Sequence, residues 1–163
     1  MVVCKKKYSI LFVLVMFISI PPLAEAKDKC SCDCYFKHAP PVMNFGVYDT
    51  KDLGNADAVA TLYYRCNCGK QDITVRMSSG SSGVCSRRHM SNMNNKLSYN
   101  IYRNPAHVLV WGDGQMCGQP AVVAGTKEEQ SIPIYGRLTP MQDVDPNVYK
   151  DTLAVVCEYS DFL

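Results

Sequence analysis

Hydrophobic and polar residues alternate with a period of two over several short stretches of this chain. Apolar residues do not recur at the spacing of three and four that a helix needs, so the pattern predicts strands and no helix of useful length. Clusters of Gly, Pro, Asn and Ser lie between the stretches and predict turns. We expect strands over residues 42–48, 58–66, 72–77, 97–102, 107–111, 122–123, 132–138 and 152–159.

Alternate residues of a strand lie on one face of a sheet, so the apolar members of each stretch predict the core. The segment Ser78-Ser79-Gly80-Ser81-Ser82-Gly83 has no such pattern and predicts a loop. The sets expected to face inward are Ala58, Ala60, Leu62, Tyr64 and Cys66; Ile73, Val75 and Met77; Leu97, Tyr99 and Ile101; and Leu153, Val155, Cys157 and Tyr159.

Short strands with regular turn signals in a chain of 163 residues predict one all-β domain, an immunoglobulin-like β-sandwich of two antiparallel sheets. The sequence ends four residues after Tyr159 with no further strand. We therefore expect the sandwich to be incomplete, lacking its last strand. The groove left open would expose apolar surface, and strand addition by another chain is one way to cover it.

The first 26 residues have the pattern of a secretory signal peptide: Lys5, Lys6 and Lys7, an apolar run over residues 10–20, and then Ala24-Glu25-Ala26. The run is too short to cross a bilayer. We therefore interpret residues 1–26 as a signal peptide and 27–163 as the β-sandwich domain, with no membrane span. The domain has 14 basic and 14 acidic residues, and this balance gives no indication of nucleic-acid binding.

Removal of Cys4 with the signal leaves eight cysteines, an even number in an exported chain, which favours disulfides. Sequence alone does not choose among their pairings. The Cys-rich segment 30–34 also permits a thiolate cluster, but one residue between ligands fits structural zinc poorly. The disulfide candidates are Cys30, Cys32, Cys34, Cys66, Cys68, Cys85, Cys117 and Cys157.

Several blocks, in their order and spacing, resemble the spore coat U domain family, whose members include pilin subunits of archaic chaperone-usher pili. The resemblance covers nearly all of the chain after the signal. The blocks are Val42-Met43-Asn44-Phe45-Gly46-Val47-Tyr48-Asp49, Leu62-Tyr63-Tyr64-Arg65-Cys66, residues 78–83, Arg88-His89-Met90, Leu97-Ser98-Tyr99-Asn100-Ile101-Tyr102, Val110-Trp111-Gly112-Asp113-Gly114, Tyr135-Gly136-Arg137-Leu138 and Tyr149-Lys150-Asp151-Thr152-Leu153.

The resemblance implies an incomplete sandwich to which a periplasmic chaperone lends a strand, followed by delivery to an outer-membrane usher and assembly with sibling subunits. It also implies a disulfide from a cysteine ahead of the first strand to Cys66, with Cys34 nearest to the required place. The groove would lie between the first and last strands, although its candidate residues are equally compatible with an ordinary core. The groove candidates are Phe45, Val47, Leu153, Val155 and Cys157.

One feature departs from the family. Only Lys27-Asp28-Lys29 precede Cys30 after the signal, whereas a fibre-forming subunit carries a longer donor stretch there. We therefore expect a subunit that accepts a strand without donating one, placed at a fibre tip, or one that does not polymerise.

No pattern of catalytic residues is present: there is no GxSxG elbow, no HExxH spacing and no EF-hand loop, so no enzymatic function, cofactor or metal is expected. His38, His89 and His107 are interpreted as surface or strand residues. The aromatic residues Trp111, Tyr63, Tyr99 and Tyr102 are compatible with a sugar-binding surface and, more simply, with cross-strand packing.

Three functional hypotheses remain. The first is a secreted structural subunit of a surface pilus or coat, which passes through the periplasm to the cell surface and is assembled by strand complementation. The second is a free secreted sandwich, closed by its own disulfides, that acts as an adhesive or coat module. Metal storage by segment 30–34 is a third reading, and four intact disulfides would remove it.

Overall fold

The computed structural model describes residues 2–6, 33–67, 69, 71–92, 95–115 and 118–159. These residues form strands and two single 3₁₀ turns, Gly80–Ser82 and Cys85–Arg87, and the described part contains no α-helix. It therefore contains no helix long and apolar enough to span a membrane. The strands are β1 Val2–Lys6, β2 Cys34–Phe36, β3 Ala56–Cys66, β4 Gln71–Met77, β5 His89–Asn92, β6 Asn95–Tyr102, β7 Ala121–Gly125, β8 Gln130–Leu138 and β9 Val155–Tyr159.

The strands form two sheets, as the sequence predicts. The first has the order β1-β9-β4-β7 and the second has the order β2-β3-β8-β6-β5. Neighbouring strands are antiparallel except β1 and β9. The apolar faces of the two sheets form one core, in which Trp111 is fully buried.

The longest strand, β3, demonstrates why the pattern is informative. Its eleven residues alternate so that Ala60, Leu62, Tyr64 and Cys66 are buried. Nine consecutive residues of β3 pair with β8, and this register places every second side chain in the core. The predicted inward faces of β4, β6 and β9 are buried in the same way, so these predictions are confirmed.

The prediction of a strand over residues 42–48 is wrong. The segment has no ladder partner, and Gly46 has φ of +76°, a left-handed conformation that glycine adopts at little cost. The amide of Gly46 donates to Asn44 Oδ1 at 2.9 Å, a local bond that competes with strand pairing. Alternation alone therefore did not make this segment a strand.

The prediction of a strand over residues 107–111 is also wrong. Asn104 Oδ1 accepts the amides of Val108 and Leu109, which closes a turn in place of a ladder. Only isolated bridges form, at Val110 and Trp111. His107, expected on the surface or in a strand, lies in this turn with φ of +55° and its side chain 7% exposed.

Two short strands, β2 and β5, were not predicted, and the last strand begins at Val155, later than the predicted residue 152. β2 has three residues and β5 has four, lengths over which alternation carries little information. Residues 151–154 belong to no strand.

The N-terminal strand β1 adds to the edge of β9 in parallel, with Val2 opposite Val155 and Lys6 opposite Tyr159. It lies within the segment interpreted as a signal peptide. The apolar run at 10–20 and the Ala24-Glu25-Ala26 sequence lie outside the described residues.

One disulfide joins Cys34 to Cys66, with a Cα–Cα distance of 4.1 Å. The two residues are directly opposite each other in the β2–β3 pair. Cys85 and Cys157 are also disulfide-bonded. The remaining candidates, Cys30, Cys32, Cys68 and Cys117, lie outside the described residues.

Candidate functional site: an apolar groove beside the last strand

An apolar cavity of about 600 Å³ lies between the two sheets, where the sandwich is bordered by two segments outside the strands. We call residues 40–45 the N-wall and residues 148–154 the C-wall. Both sheets contribute to the lining, which is mostly apolar. The strand residues that line it are Ala60 of β3, Met77 of β4, Met90 of β5, Tyr99 and Ile101 of β6, Ile134 of β8 and Val155 of β9.

The two walls are not hydrogen-bonded to each other through their backbones, and in the described part of the chain the N-wall has no backbone partner at all. The C-wall is held by backbone hydrogen bonds at two residues. Lys150 and Ser91 exchange two backbone bonds, at 3.0 and 3.2 Å, and the amide of Ser78 donates to the carbonyl of Ala154 at 2.9 Å. Between these bonds, the backbone groups of Asp151, Thr152 and Leu153 have no backbone partner among the described residues.

The residues proposed for a groove wall occupy different places. Phe45, Leu153 and Val155 line the cavity. Cys157 is buried in β9 and belongs to the core cluster. Val47 lies beyond the N-wall with its side chain 98% exposed.

The N-wall packs on the sheet through a glycine. A Cβ atom at Gly136 of β8 would overlap Met43 Sδ and would lie 2.7 Å from Phe45 Cζ. Real Cβ atoms do not approach so closely, so the absence of a side chain at position 136 allows the N-wall to lie on β8.

We therefore expect Gly136→Ala to displace Met43 and Phe45 and to lower the free energy of unfolding by about 1–3 kcal/mol, the usual cost of overpacking. Urea denaturation of the protein, purified with the same strand donor bound in every variant, measures the change. Gly54→Ala is the matched control, because a Cβ at Gly54 meets nothing within 4 Å. Equal stability of the two variants would contradict this account of the N-wall.

A polar cluster lies at the C-wall side of the cavity. The Tyr99 hydroxyl donates to Asp151 Oδ2 at 2.7 Å, and Asp151 Oδ1 accepts the amides of Ser81 at 3.0 Å and Thr152 at 2.9 Å. Burial and the hydrogen bond to Asp151 raise the pKa of Tyr99 far above its ordinary value. The Tyr99 hydroxyl therefore stays protonated, and able to donate to Asp151, to higher pH than the hydroxyl of an exposed tyrosine.

Beneath this cluster lies Arg88, whose side chain is 0% exposed. Its Nε and Nη2 donate to the carbonyl of Ser78, at 3.1 and 2.7 Å, and Nη2 also donates to the carbonyl of Trp111 at 2.8 Å. Its Nη1 donates to Asn100 Oδ1 at 2.8 Å. Burial lowers the pKa of Arg88, whereas Tyr99 and the carboxylates of Asp151 and Asp113 raise it.

Sequence reasoning gave no role to Arg88 or Asp151. Both lie in blocks that carry the family resemblance, and that was the available signal. The pattern of apolar and polar residues does not reveal a buried arginine of this kind. Its hydrogen bonds are accepted by carbonyl groups of residues that are distant in sequence.

The aromatic residues considered for a sugar-binding surface are divided by the fold. Trp111 is buried and donates its Nε1 to the carbonyl of Val75 at 2.9 Å, and Tyr99 is buried above the cavity. Tyr63 lies on the outer face with 39% exposure, edge-on to His38. The four residues therefore do not form one surface. Among the described residues, no group of three or more His, Cys, Asp or Glu side chains is placed to hold a metal ion.

The fold defines the chain as an immunoglobulin-like all-β sandwich bordered by an apolar groove. A family model for the Spore Coat Protein U domain matches residues 23–156. The chain belongs to the Spore Coat Protein U domain family, which confirms the resemblance.

Two solved structures are similar in fold. One is the CsuC–CsuE complex, a chaperone–tip adhesion subunit pre-assembly complex from archaic chaperone-usher Csu pili of Acinetobacter baumannii, with a TM-score of 0.55 and 18% identity over 78% of this chain. This chain spans 40% of that one. The other is the P pilus rod subunit PapA, with a TM-score of 0.51 and 15% identity over 77% of this chain and 98% of that chain. No curated protein matches the chain.

Proposed function

We propose that this protein is a structural subunit of a surface pilus or fibre, assembled by strand addition at the groove. The observation that carries the proposal is the cavity of about 600 Å³ between the N-wall and the C-wall, which have no backbone bonds to each other. A strand inserted there would gain backbone partners on both sides and would bury alternate apolar side chains on the floor. The groove offers shape and backbone hydrogen bonds and presents no catalytic constellation.

The parallel strand β1 supports the same reading. It occupies the free edge of β9 with five residues in register. We infer that residues 1–26 act as an export signal and that β1 is removed with them when the signal is cleaved. The edge of β9 then becomes continuous with the open side of the C-wall and requires a strand from another chain, because an exposed edge above an apolar groove promotes aggregation.

The solved structures of similar fold support a proposal for the binding partners of this protein. By analogy with the chaperone–subunit complex and the rod subunit, the first strand donor is a periplasmic chaperone and later donors are sibling subunits, with an outer-membrane usher in between. The protein would pass through the periplasm to the cell surface. The short segment between the signal and Cys30 is consistent with a position at the fibre tip.

Expression with and without a chaperone tests the proposal. We expect the exported protein, produced without other pilus proteins, to aggregate or to be degraded, and to be recovered as a 1:1 complex when a periplasmic pilus chaperone from the same organism is co-expressed. Recovery by affinity purification and size-exclusion chromatography measures this. A protease-resistant monomer that unfolds reversibly without any chaperone would contradict the proposal and favour a free sandwich closed by disulfides.

A pair of lysine substitutions locates the interaction. Leu153 lines the cavity on the C-wall, whereas Val122 lies on β7 and is exposed. We expect Leu153→Lys to abolish recovery of the complex, because a charge would lie on the apolar groove, and Val122→Lys to leave recovery unchanged. Equal recovery of the two variants would place the interaction elsewhere.

A further inference from the structure

The C-wall has one side chain that connects three separate parts of the fold. Asp151 accepts hydrogen bonds from the Tyr99 hydroxyl on β6, from the Ser81 amide in the 3₁₀ turn and from the amide of Thr152 in its own segment. Both carboxylate oxygens are used. The two donors outside the C-wall are 52 and 70 residues from Asp151 in sequence, so the carboxylate fixes long-range geometry.

The 3₁₀ turn is fitted closely around this carboxylate. Gly80 has φ of +67°, and a Cβ atom there would overlap Asp151 Oδ2 and would lie 2.8 Å from Leu153 Cδ2. The turn can therefore reach both the polar and the apolar side chain of the C-wall only because residue 80 is glycine. This contact places Leu153 at the edge of the cavity.

The C-wall has few other supports. Its backbone is fixed by the exchange with Ser91 at Lys150 and by Ser78 at Ala154, where the Ala154 amide also donates to Ser78 Oγ at 2.8 Å. Asp151 and Leu153 lie between these two anchors, beside an apolar cavity of about 600 Å³. Without a fixed point between the anchors, burial of Leu153 would draw the wall into the cavity.

We propose that Asp151 is the positioning residue that holds the C-wall away from the N-wall, so that the groove stays open to an incoming strand. This inference rests on the proposed function, since it concerns how the same groove is kept ready for a strand. The carboxylate acts on Leu153 and the wall backbone. A groove that is already open avoids the ordering cost that binding would otherwise include.

The buried polar surroundings favour this role. Arg88 lies near both Tyr99 and Asp151, and its charge attracts the carboxylate. Arg88 is itself fixed by the carbonyls of Ser78 and Trp111. The carboxylate is therefore held by a hydroxyl, two amides and a nearby fixed cation.

The test measures strand uptake separately from stability. The probe is a short labelled peptide with two parts. The second part has the sequence of Val2–Lys6 with serine in place of Cys4, because Val2–Lys6 pairs with β9. The first part consists of alternating valine and threonine residues. The peptide is added to the exported protein held in its chaperone complex, and its uptake in exchange for the chaperone strand is followed by fluorescence anisotropy. Urea denaturation of the same samples gives stability.

We expect Asp151→Ala to weaken peptide binding by about tenfold or more and Tyr99→Phe, which removes one donor, to weaken it by less. Asp151→Asn, which keeps an oxygen able to accept the Ser81 amide, should recover part of the affinity. Asp143→Ala is the matched control, because Asp143 is an exposed aspartate in the same part of the chain and should leave binding unchanged.

The outcomes separate the two proposals. If the wild-type protein does not bind the peptide, strand addition at the groove is contradicted. If the wild type binds and folded Asp151→Ala binds equally well, the positioning role is overturned. If Asp151→Ala does not fold, Tyr99→Phe decides: unchanged affinity overturns the role, and weaker binding at unchanged stability supports it.

Discussion

Arg88→Met is expected to lower the free energy of unfolding by about 3–5 kcal/mol, because it leaves buried acceptors without partners. The guanidinium donates to the carbonyls of Ser78 and Trp111 and to the side chain of Asn100. Methionine fills part of the same space but donates to none of them. Since small domains are stable by only about 5–15 kcal/mol, the variant would be close to unfolding.

With the same tryptophan-free strand-donor peptide bound to each variant, fluorescence of Trp111, the only tryptophan in the chain, follows unfolding in urea next to the altered site. Far-ultraviolet circular dichroism follows the strands. Arg87→Met is the matched control, because Arg87 is the neighbouring residue and is exposed. Its free energy of unfolding should change by less than about 0.5 kcal/mol. Similar losses in both variants would mean that the buried hydrogen bonds of Arg88 are not the cause.

Removal of the Cys34–Cys66 disulfide by the double substitution Cys34→Ala and Cys66→Ala should cost about 3–4 kcal/mol. The bond closes a loop with a sequence separation of 32, and loop closure of that size restricts the unfolded chain by about this amount. It also fixes β2, which has only three residues, against β3. Urea or thermal denaturation of the oxidised proteins, each with the same strand donor bound, measures the loss.

Asn67→Ala is the control for the disulfide variant. Asn67 Oδ1 accepts the amide of Asp33 at 2.8 Å, so this substitution disturbs the same end of the β2–β3 pair without removing the covalent bond. We expect a cost of about 1 kcal/mol. A loss as large as that of the cysteine variant would assign the stabilisation to local contacts.

The fold class was predictable because β3, β4, β6, β8 and β9 each bury one face, and a half-buried strand leaves a period of two in the sequence. Residues 42–48 alternate too, yet their backbone is unpaired. Alternation records which side chains are buried, and Met43 and Phe45 do pack against the core. Whether a segment also has a neighbour for its amides depends on another part of the chain, and the pattern carries no information about that.

The candidate site was predictable only in part. Leu153 and Val155 lie in an apolar alternation at the end of the chain, and the family resemblance implies a groove between the first and last strands. The polar support of the groove was not predictable, because Arg88, Tyr99 and Asp151 meet only after β5, β6 and the C-wall have been placed by the rest of the fold. The exposure of Val47 has a related cause, because the positive φ of the preceding residue, Gly46, changes the direction of the chain.

The Cys34–Cys66 bond has a mechanical consequence. A tensile force applied through the residues before Cys34 passes through the sulfur atoms directly to the end of β3. The 31 residues between the two cysteines carry none of it, and about 110 Å of contour length is withheld from extension. The N-wall lies inside this shielded loop. Pulling on the subunit from its N-terminal side would therefore not peel the N-wall from β8.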